Sequence, residues 1–98
     1  MPLRTIRHEH AVDEQIKALK IEFKRYDSMM EFVGDVLCEH PQTFPVITGT
    51  KISICKTNEF VGGSFTDIPS LAIYFHFDEH EVRIISIERN NVESYGSK

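Results

Sequence analysis

Two apolar runs near the end of the chain form its clearest pattern. Residues 70–77 (SLAIYFHF) and 82–88 (VRIISIE) are rich in Val, Ile, Tyr and Phe, and neither contains Gly or Pro. A short acidic break, Asp78-Glu79-His80-Glu81, separates them. This composition predicts two antiparallel strands joined by a turn.

The length of that turn decides which side chains share a face of the hairpin. A two-residue turn at Glu79-His80 predicts the cross-strand pairs Phe77–Val82, Phe75–Ile84 and Ile73–Ser86. One face is then apolar and is expected to be buried: Leu71, Ile73, Phe75, Phe77, Val82 and Ile84. The opposite, open face then presents Tyr74, His76, Arg83, Ile85, Ile87 and Arg89. A three-residue turn reverses this parity.

Two helical patterns precede the strands. Over residues 11–26, apolar residues recur at helical spacing and predict one buried stripe: Val12, Ile16, Leu19, Phe23 and Tyr26. Ser28, with Glu31 three residues later, has the spacing of a capping box and predicts the start of a second helix. Its expected buried stripe is Met29, Phe32, Val33, Val36 and Leu37. Pro41 predicts its end.

The remaining segments complete the expected layout. Leu3–Arg7 is a weak pattern for a short edge strand. Lys51–Lys56 alternates and predicts a strand with Ile52 and Ile54 on one face, and with Lys51, Ser53 and Cys55 on the open face. Residues 57–69 are expected to form a loop or a small flap. The order predicts a single α+β domain over residues 1–98, with two N-terminal helices on one face of a small, mainly antiparallel sheet.

Composition and charge narrow the functional classes. The chain has 98 residues, 41% of them hydrophobic, which is typical of one soluble domain. No apolar run reaches the roughly 18 residues of a membrane span, so a cytoplasmic location is expected. Residues 1–26 hold six Lys/Arg against four Asp/Glu, and residues 27–98 hold five against eleven. The net charge of −4 argues against bulk attraction to nucleic acid.

The expected open face carries the candidate chemistry. On the two-residue register, His76 and Arg83 are direct neighbours beside Tyr74, with Arg89 further along. An imidazole, two guanidiniums and a phenol on one face can bind phosphate and transfer protons in RNA cleavage. An ordinary solvated sheet face is the alternative interpretation.

Histidine and cysteine offer weaker candidates. His8 and His10 are two residues apart and could share a metal on a strand, but no third ligand is evident. Cys38 and Cys55 are expected to be free thiols without a catalytic role. No metal and no cofactor are therefore predicted.

The layout resembles the RelE/ParE superfamily of bacterial toxins. The resemblance rests on the order of elements, on the stretch LAIYFHFDEHEVRIISIER, which looks like that family's final hairpin, and on Tyr95 in the tail. Members of that family cleave messenger RNA on the ribosome or inhibit DNA gyrase, and an antitoxin neutralises them. The resemblance aligns Lys51 and Lys56 with the family's basic strand, Arg89 with the basic residue that closes the last strand, and Tyr95 with the tail tyrosine. This chain departs from the family at two positions. The arginine that the family usually has at the start of the penultimate strand corresponds to about Leu71 here, and Asn90 stands after Arg89 where a second basic residue is common.

Three functions follow as hypotheses. The first is a toxin of a type II toxin–antitoxin system that acts as a ribosome-dependent endoribonuclease, with Lys51, His76, Arg83, Arg89 and Tyr95 as its catalytic set. Its expected partners are a cognate antitoxin and the mRNA on the ribosome, with no membrane. The second is a non-catalytic protein-binding module of the same fold, either a gyrase inhibitor or a degenerate relative that pairs with another protein. The third is a homo-oligomeric structural domain that pairs through an exposed strand edge.

Overall fold

The structure, a computed structural model, describes residues 4–57 and 70–89. Within these ranges the elements are β1 (Thr5–His8), α1 (Val12–Glu22), α2 (Tyr26–Glu39), β2 (Ser53–Lys56), β3 (Leu71–Phe77) and β4 (Glu81–Arg89). A single turn of 3₁₀ helix at Pro41–Thr43 follows α2. The expected loop or flap at 57–69 and the tail tyrosine Tyr95 lie outside the described residues, apart from Thr57.

The strands form one mixed sheet in the order β1-β4-β3-β2. β1 is parallel to β4, and the other two pairs are antiparallel. Both helices pack against the sheet, and α1 contacts β4 more than it contacts α2. The predicted α+β class, with two helices against one side of a small, mainly antiparallel sheet, is therefore confirmed.

The helical stripes are largely as predicted, but the boundary between the helices is not. Val12 and Leu19 of α1, and Met29, Val33 and Leu37 of α2, are buried in the core. Helix α1 ends at Glu22, and α2 already begins at Tyr26, so Ser28 lies inside the first turn of α2. The N-cap of α2 is Arg25 and receives no side-chain hydrogen bond, so the predicted capping box does not form. Phe32, expected in the buried stripe, is exposed.

The hairpin turn has the predicted length. Phe77 pairs with Val82, His76 with Arg83 and Phe75 with Ile84. Asp78 fixes the turn, because its Oδ1 accepts hydrogen bonds from the backbone N–H groups of His80 at 2.7 Å and Glu81 at 2.9 Å. These two bonds favour the charged carboxylate and lower the pKa of Asp78.

Beyond Ile84 the predicted register is wrong. The pairing shifts between Tyr74 and Phe75, so Tyr74 pairs with Ser86 and Ile73 pairs with Ile87 instead of Ser86. Ile85 is thus the extra residue of a β-bulge in β4. Regular alternation would have directed the polar Ser86 and Glu88 toward the helices, which costs desolvation free energy. The bulge instead returns Ile87 to the core, where it is 4% exposed.

The predicted faces of β2 are also inverted. Ser53 pairs with Phe75 and Cys55 with Ile73, and both small residues are buried on the helix side. Ile54 pairs with Tyr74, so Ile54 lies on the open face. Ser53 and Cys55 are small enough to lie opposite two large core residues, and the ring of Phe44 packs edge-on against Phe75 with centroids 5.9 Å apart. Local alternation in β2 could not reveal this, because register is set by the partner strand.

Candidate functional site

The open face of the sheet carries a charged network that we call the sheet-face cluster: Arg7, Glu9, His76, Glu81 and Arg83. β1 places Arg7 beside Arg83, and β3 places the exposed His76 on its other side. Glu81 Oε2 accepts hydrogen bonds from Arg83 Nη2 at 2.8 Å and Nε at 3.2 Å. Glu9 Oε2 lies 3.3 Å from Arg83 Nη1. Arg7 Nη1 is 3.7 Å from the other oxygen of Glu81.

The cluster neutralises the arginine that the sequence assigned to phosphate binding. The hydrogen bonds that Arg83 donates to Glu81 raise the pKa of Arg83 most, followed by the charge of Glu81 and the hydrogen bond donated to Glu9. A phosphate would have to displace these carboxylates, and it would meet their negative charge. His76 and Arg83 are neighbours as predicted, but the guanidinium of Arg83 already donates hydrogen bonds to two carboxylates.

The remaining predicted site residues do not gather around this pair. Arg89 pairs with the core residue Leu71 and lies on the helix side, where it donates to Glu22 of α1 and stacks over the ring of Phe23. Its predicted place on the open face is wrong because the bulge reverses the parity of β4. Lys51 is exposed and precedes β2 by two residues. Tyr95 lies outside the described residues, so no placement of it enters the site.

A second candidate surface lies on the helix side. An open groove of about 420 Å³, which we call the helix-side groove, is lined by residues of α1, α2, β1 and β4. Its apolar lining is shared by both helices and two strands: Ile6, Ile16, Tyr26, Met30, Cys38 and Ile84. Sequence reasoning missed this surface. The sequence signal that could have revealed it is a row of residues at four-residue spacing along α2: Tyr26, Met30, Gly34 and Cys38.

Acidic residues of α2 border the groove. Asp27, Glu31 and Asp35 follow each other at four-residue spacing, and we call them the acidic rim. Asp27 lies 3.6 Å from Lys20 of α1, so this pair bridges the two helices at one end of the groove. In the described parts of the chain, neither Glu31 nor Asp35 has a cation within ion-pair distance.

Two titratable groups of the groove have perturbed pKa values. Burial raises the pKa of Tyr26 to about 12, with a further contribution from the charge of Asp27, so its hydroxyl stays protonated at neutral pH. Burial, followed by the charge of Asp35, raises the pKa of the Cys38 thiol. Cys38 is therefore a weak nucleophile, and the groove carries no activated group among these residues.

Gly34 lies at the centre of the groove and keeps it open. A glycine inside a helix costs about 1 kcal/mol relative to alanine. The site does not require it on steric grounds, because a Cβ there would meet Ile6 Cδ1 at 3.7 Å, an ordinary contact. Gly34 is thus unfavourable for the helix, and any larger side chain at this position would fill the groove.

The two early histidines meet a shared carboxylate. His8 Nε2 lies 2.5 Å from Asp13 Oδ1, and His10 Nδ1 lies 3.3 Å from Asp13 Oδ2. This contact joins the end of β1 to the first turn of α1. Across residues 4–57 and 70–89, no group of three His, Cys, Asp or Glu residues has an arrangement that could hold a metal ion.

Comparison with known proteins gives no match: neither family models, nor curated proteins, nor solved structures show significant similarity to this chain. No helix in the described part of the chain is long and apolar enough to cross a bilayer. The two surfaces are therefore the features of this protein that point to a function.

Proposed function

We propose that this protein is a non-catalytic protein-binding module, related in layout to the RelE/ParE-like toxins and acting in the cytoplasm through a partner protein. The observation that carries the proposal is the contrast between its two surfaces. The candidate phosphate-binding arginine is held by two carboxylates, whereas the helix-side groove presents apolar side chains of both helices and of β1 beside charged residues. Exposed apolar surface beside charged residues is typical of an interaction site.

The charge distribution supports the same function. The sheet-face cluster contains two arginines and two glutamates, and the chain as a whole carries −4. A protein that binds RNA gains affinity from cations that contact phosphates. Arg89, the other arginine expected at such a site, instead binds Glu22 on the opposite side of the sheet.

The ribosome-dependent endoribonuclease of a toxin–antitoxin pair remains the second candidate. One observation favours it: His76 is exposed on the open face, in direct register with Arg83. An imidazole there has access to solvent and is a suitable general acid or base.

A cell-free translation assay separates the two functions. The purified protein is added to ribosomes translating a defined mRNA, and cleavage is mapped by primer extension. We expect intact mRNA with the wild-type chain and with the His76→Ala and Arg83→Ala variants. Cleavage that His76→Ala abolishes, while the exposed control Lys17→Ala retains it, would establish the ribonuclease and refute our proposal.

Partner capture from a lysate of the native host tests the binding function. The wild-type chain should retain a protein that Gly34→Leu loses and Lys17→Ala keeps. If both variants retain the same proteins, binding does not use the groove. Light scattering at high protein concentration tests the homo-oligomer: a dimer that Gly34→Leu dissociates would assign the groove to a second copy.

A further inference from the structure

We infer that the helix-side groove binds an amphipathic α-helix of a partner protein whose charged flank is basic. The inference rests on the proposed protein-binding function and names the partner segment that fits the site. It is carried by the geometry of α2, by Glu31 and Asp35, which have no cation partner within the described residues, and by the presence of Gly34.

The shape of the groove fits a helix. The lining residues of α2 run from Tyr26 to Cys38 at four-residue spacing, which corresponds to about 18 Å of helix axis. Rows at four-residue spacing form the ridges and grooves through which helices pack against each other. The apolar stripe of a third helix bound in the groove would contact Ile6 of β1, Ile16 of α1 and Met30 of α2.

The chemistry of the rim selects a basic partner. Glu31 and Asp35 are exposed beside the apolar floor, and neither has a cation partner in the described ranges. Lys or Arg side chains on the flank of the bound helix that faces α2 would pair with these carboxylates, and Glu side chains on that flank would be repelled. Arg7 and His8 of β1 line the opposite side of the groove, so the acidic side of the site is the α2 side. Asp27 contributes less, because Lys20 already binds it.

Gly34 supplies the depth that the bound helix needs. The absence of a side chain lets another backbone or a large apolar side chain approach the middle of α2 closely. The helix retains this glycine although alanine would fit at ordinary contact distance. A role in binding explains a residue that is unfavourable for folding.

The test uses two synthetic helical peptides of about 18 residues, long enough to form a helix and to span the groove. Both carry the same Leu/Ile stripe; one has Lys along one flank and the other has Glu at the same positions. Fluorescence anisotropy measures their binding to the full-length protein. We expect the basic peptide to bind at least roughly tenfold more tightly at low salt, with the preference decreasing as salt is added.

Matched variants assign the binding site. Glu31→Lys combined with Asp35→Lys should reverse the preference between the peptides. Glu14→Lys combined with Glu79→Lys makes the same change of charge on exposed residues away from the groove and should preserve it. Gly34→Leu should weaken the binding of both peptides, and circular dichroism should confirm that this variant folds. Equal reversal by both double variants, undiminished binding to Gly34→Leu, or no binding of either peptide to the wild type would overturn the inference.

A measurement on the unmutated protein is independent of variant folding. The thiol of Cys38 lines the groove and is partly exposed, whereas Cys55 is buried. The basic peptide should slow alkylation of Cys38 at least threefold or so at saturation, since bound protein is shielded. Unchanged alkylation at saturation would contradict binding in the groove.

Failure of this inference and failure of the proposed function have different outcomes. If neither peptide binds but a captured partner still depends on Gly34, the basic helix is wrong and the proposed function stands. Cleavage of mRNA would instead refute the proposed function.

Discussion

Arg83 and Arg89 lie six residues apart on β4, yet they belong to opposite sides of the sheet. Arg83, before the bulge, lies on the open face and binds Glu81 and Glu9. Arg89, after the bulge, lies on the helix side and binds Glu22. An uninterrupted strand would place both on one face, because its side chains repeat every two residues. One extra residue, Ile85, therefore separates the two cations on which a phosphate site would depend.

Although they lie on opposite faces of the sheet, the two arginines of β4 have the same kind of partner. Both arginines satisfy carboxylates of this chain, so neither is left to bind a ligand. Within residues 4–57 and 70–89, Glu31 and Asp35 beside the helix-side groove have no cation at ion-pair distance. This contrast moves the candidate functional surface from the sheet to the helices.

The largest expected effect tests the bulge itself. Ile87→Ala should lower the free energy of unfolding by about 2–5 kcal/mol, because Ile87 belongs to the core. Ile85→Ala, the matched change on the open face, should cost at most about 1 kcal/mol. Urea unfolding of both variants measures the difference. Equal losses, or a greater loss at Ile85, would mean that the strand continues without a bulge.

The second prediction concerns Tyr26 on the floor of the groove. Its pKa of about 12 in the folded chain exceeds the ordinary value of 10.0, so the unfolded chain loses this proton first. Stability should therefore be unaffected by this group below pH 10 and should decrease by roughly 2 kcal/mol as the pH rises toward 12. Urea unfolding between pH 9 and 12, compared with Tyr26→Phe, measures it. If Tyr26→Phe loses the same free energy of unfolding at alkaline pH, the loss arises from other titratable groups.

Much of this architecture was available from the sequence. The spacing of Val12, Leu19, Met29 and Leu37 predicted two amphipathic helices, and the composition of 70–88 predicted the hairpin and its turn. The bulge was not predicted, although Ser86 and Glu88 at inward positions conflicted with a regular strand. The faces of β2 were wrong because its own alternation competes with its register against β3, which only tertiary structure defines.

The candidate site was less predictable than the fold. Sequence placed His76 beside Arg83 correctly, but it could not show that Glu9, distant in the chain, would reach the same guanidinium. The groove is lined by two helices and two strands that are distant in the chain, so no single local pattern defines it. Two local signals were present: the four-residue spacing of Tyr26, Met30, Gly34 and Cys38, and a glycine within a helix, which weakens the helix and therefore requires an explanation.

The third prediction tests that explanation. Gly34→Ala should raise the free energy of unfolding by about 1 kcal/mol, since alanine favours the helix and its Cβ meets Ile6 at an ordinary distance. The same variant should bind the basic helical peptide more weakly than the wild type does. Thermal unfolding measures the change in stability, and fluorescence anisotropy measures the change in peptide binding. A variant that is destabilised would show that Gly34 is required by packing and not by binding.

The smallest effect is expected on the open face. Arg83→Gln should unfold at nearly the wild-type temperature, because ion pairs between exposed side chains contribute little to stability. It should also leave binding of the basic peptide unchanged. Lys17→Gln, which removes an ion pair between exposed side chains of α1 outside both surfaces, is the matched control. A decrease in stability as large as the gain from Gly34→Ala would show that the sheet-face cluster is a structural element.

The most direct test of the central claim is an NMR titration of the ¹⁵N-labelled full-length protein with the basic helical peptide. If the peptide binds in the helix-side groove, the largest changes in amide chemical shift should fall along one stripe of α2, at Met30, Gly34 and Cys38, and extend to Ile6 of β1. Shifts centred on Tyr74, His76 and Arg83, with α2 unperturbed, would contradict it and return the functional surface to the open face of the sheet.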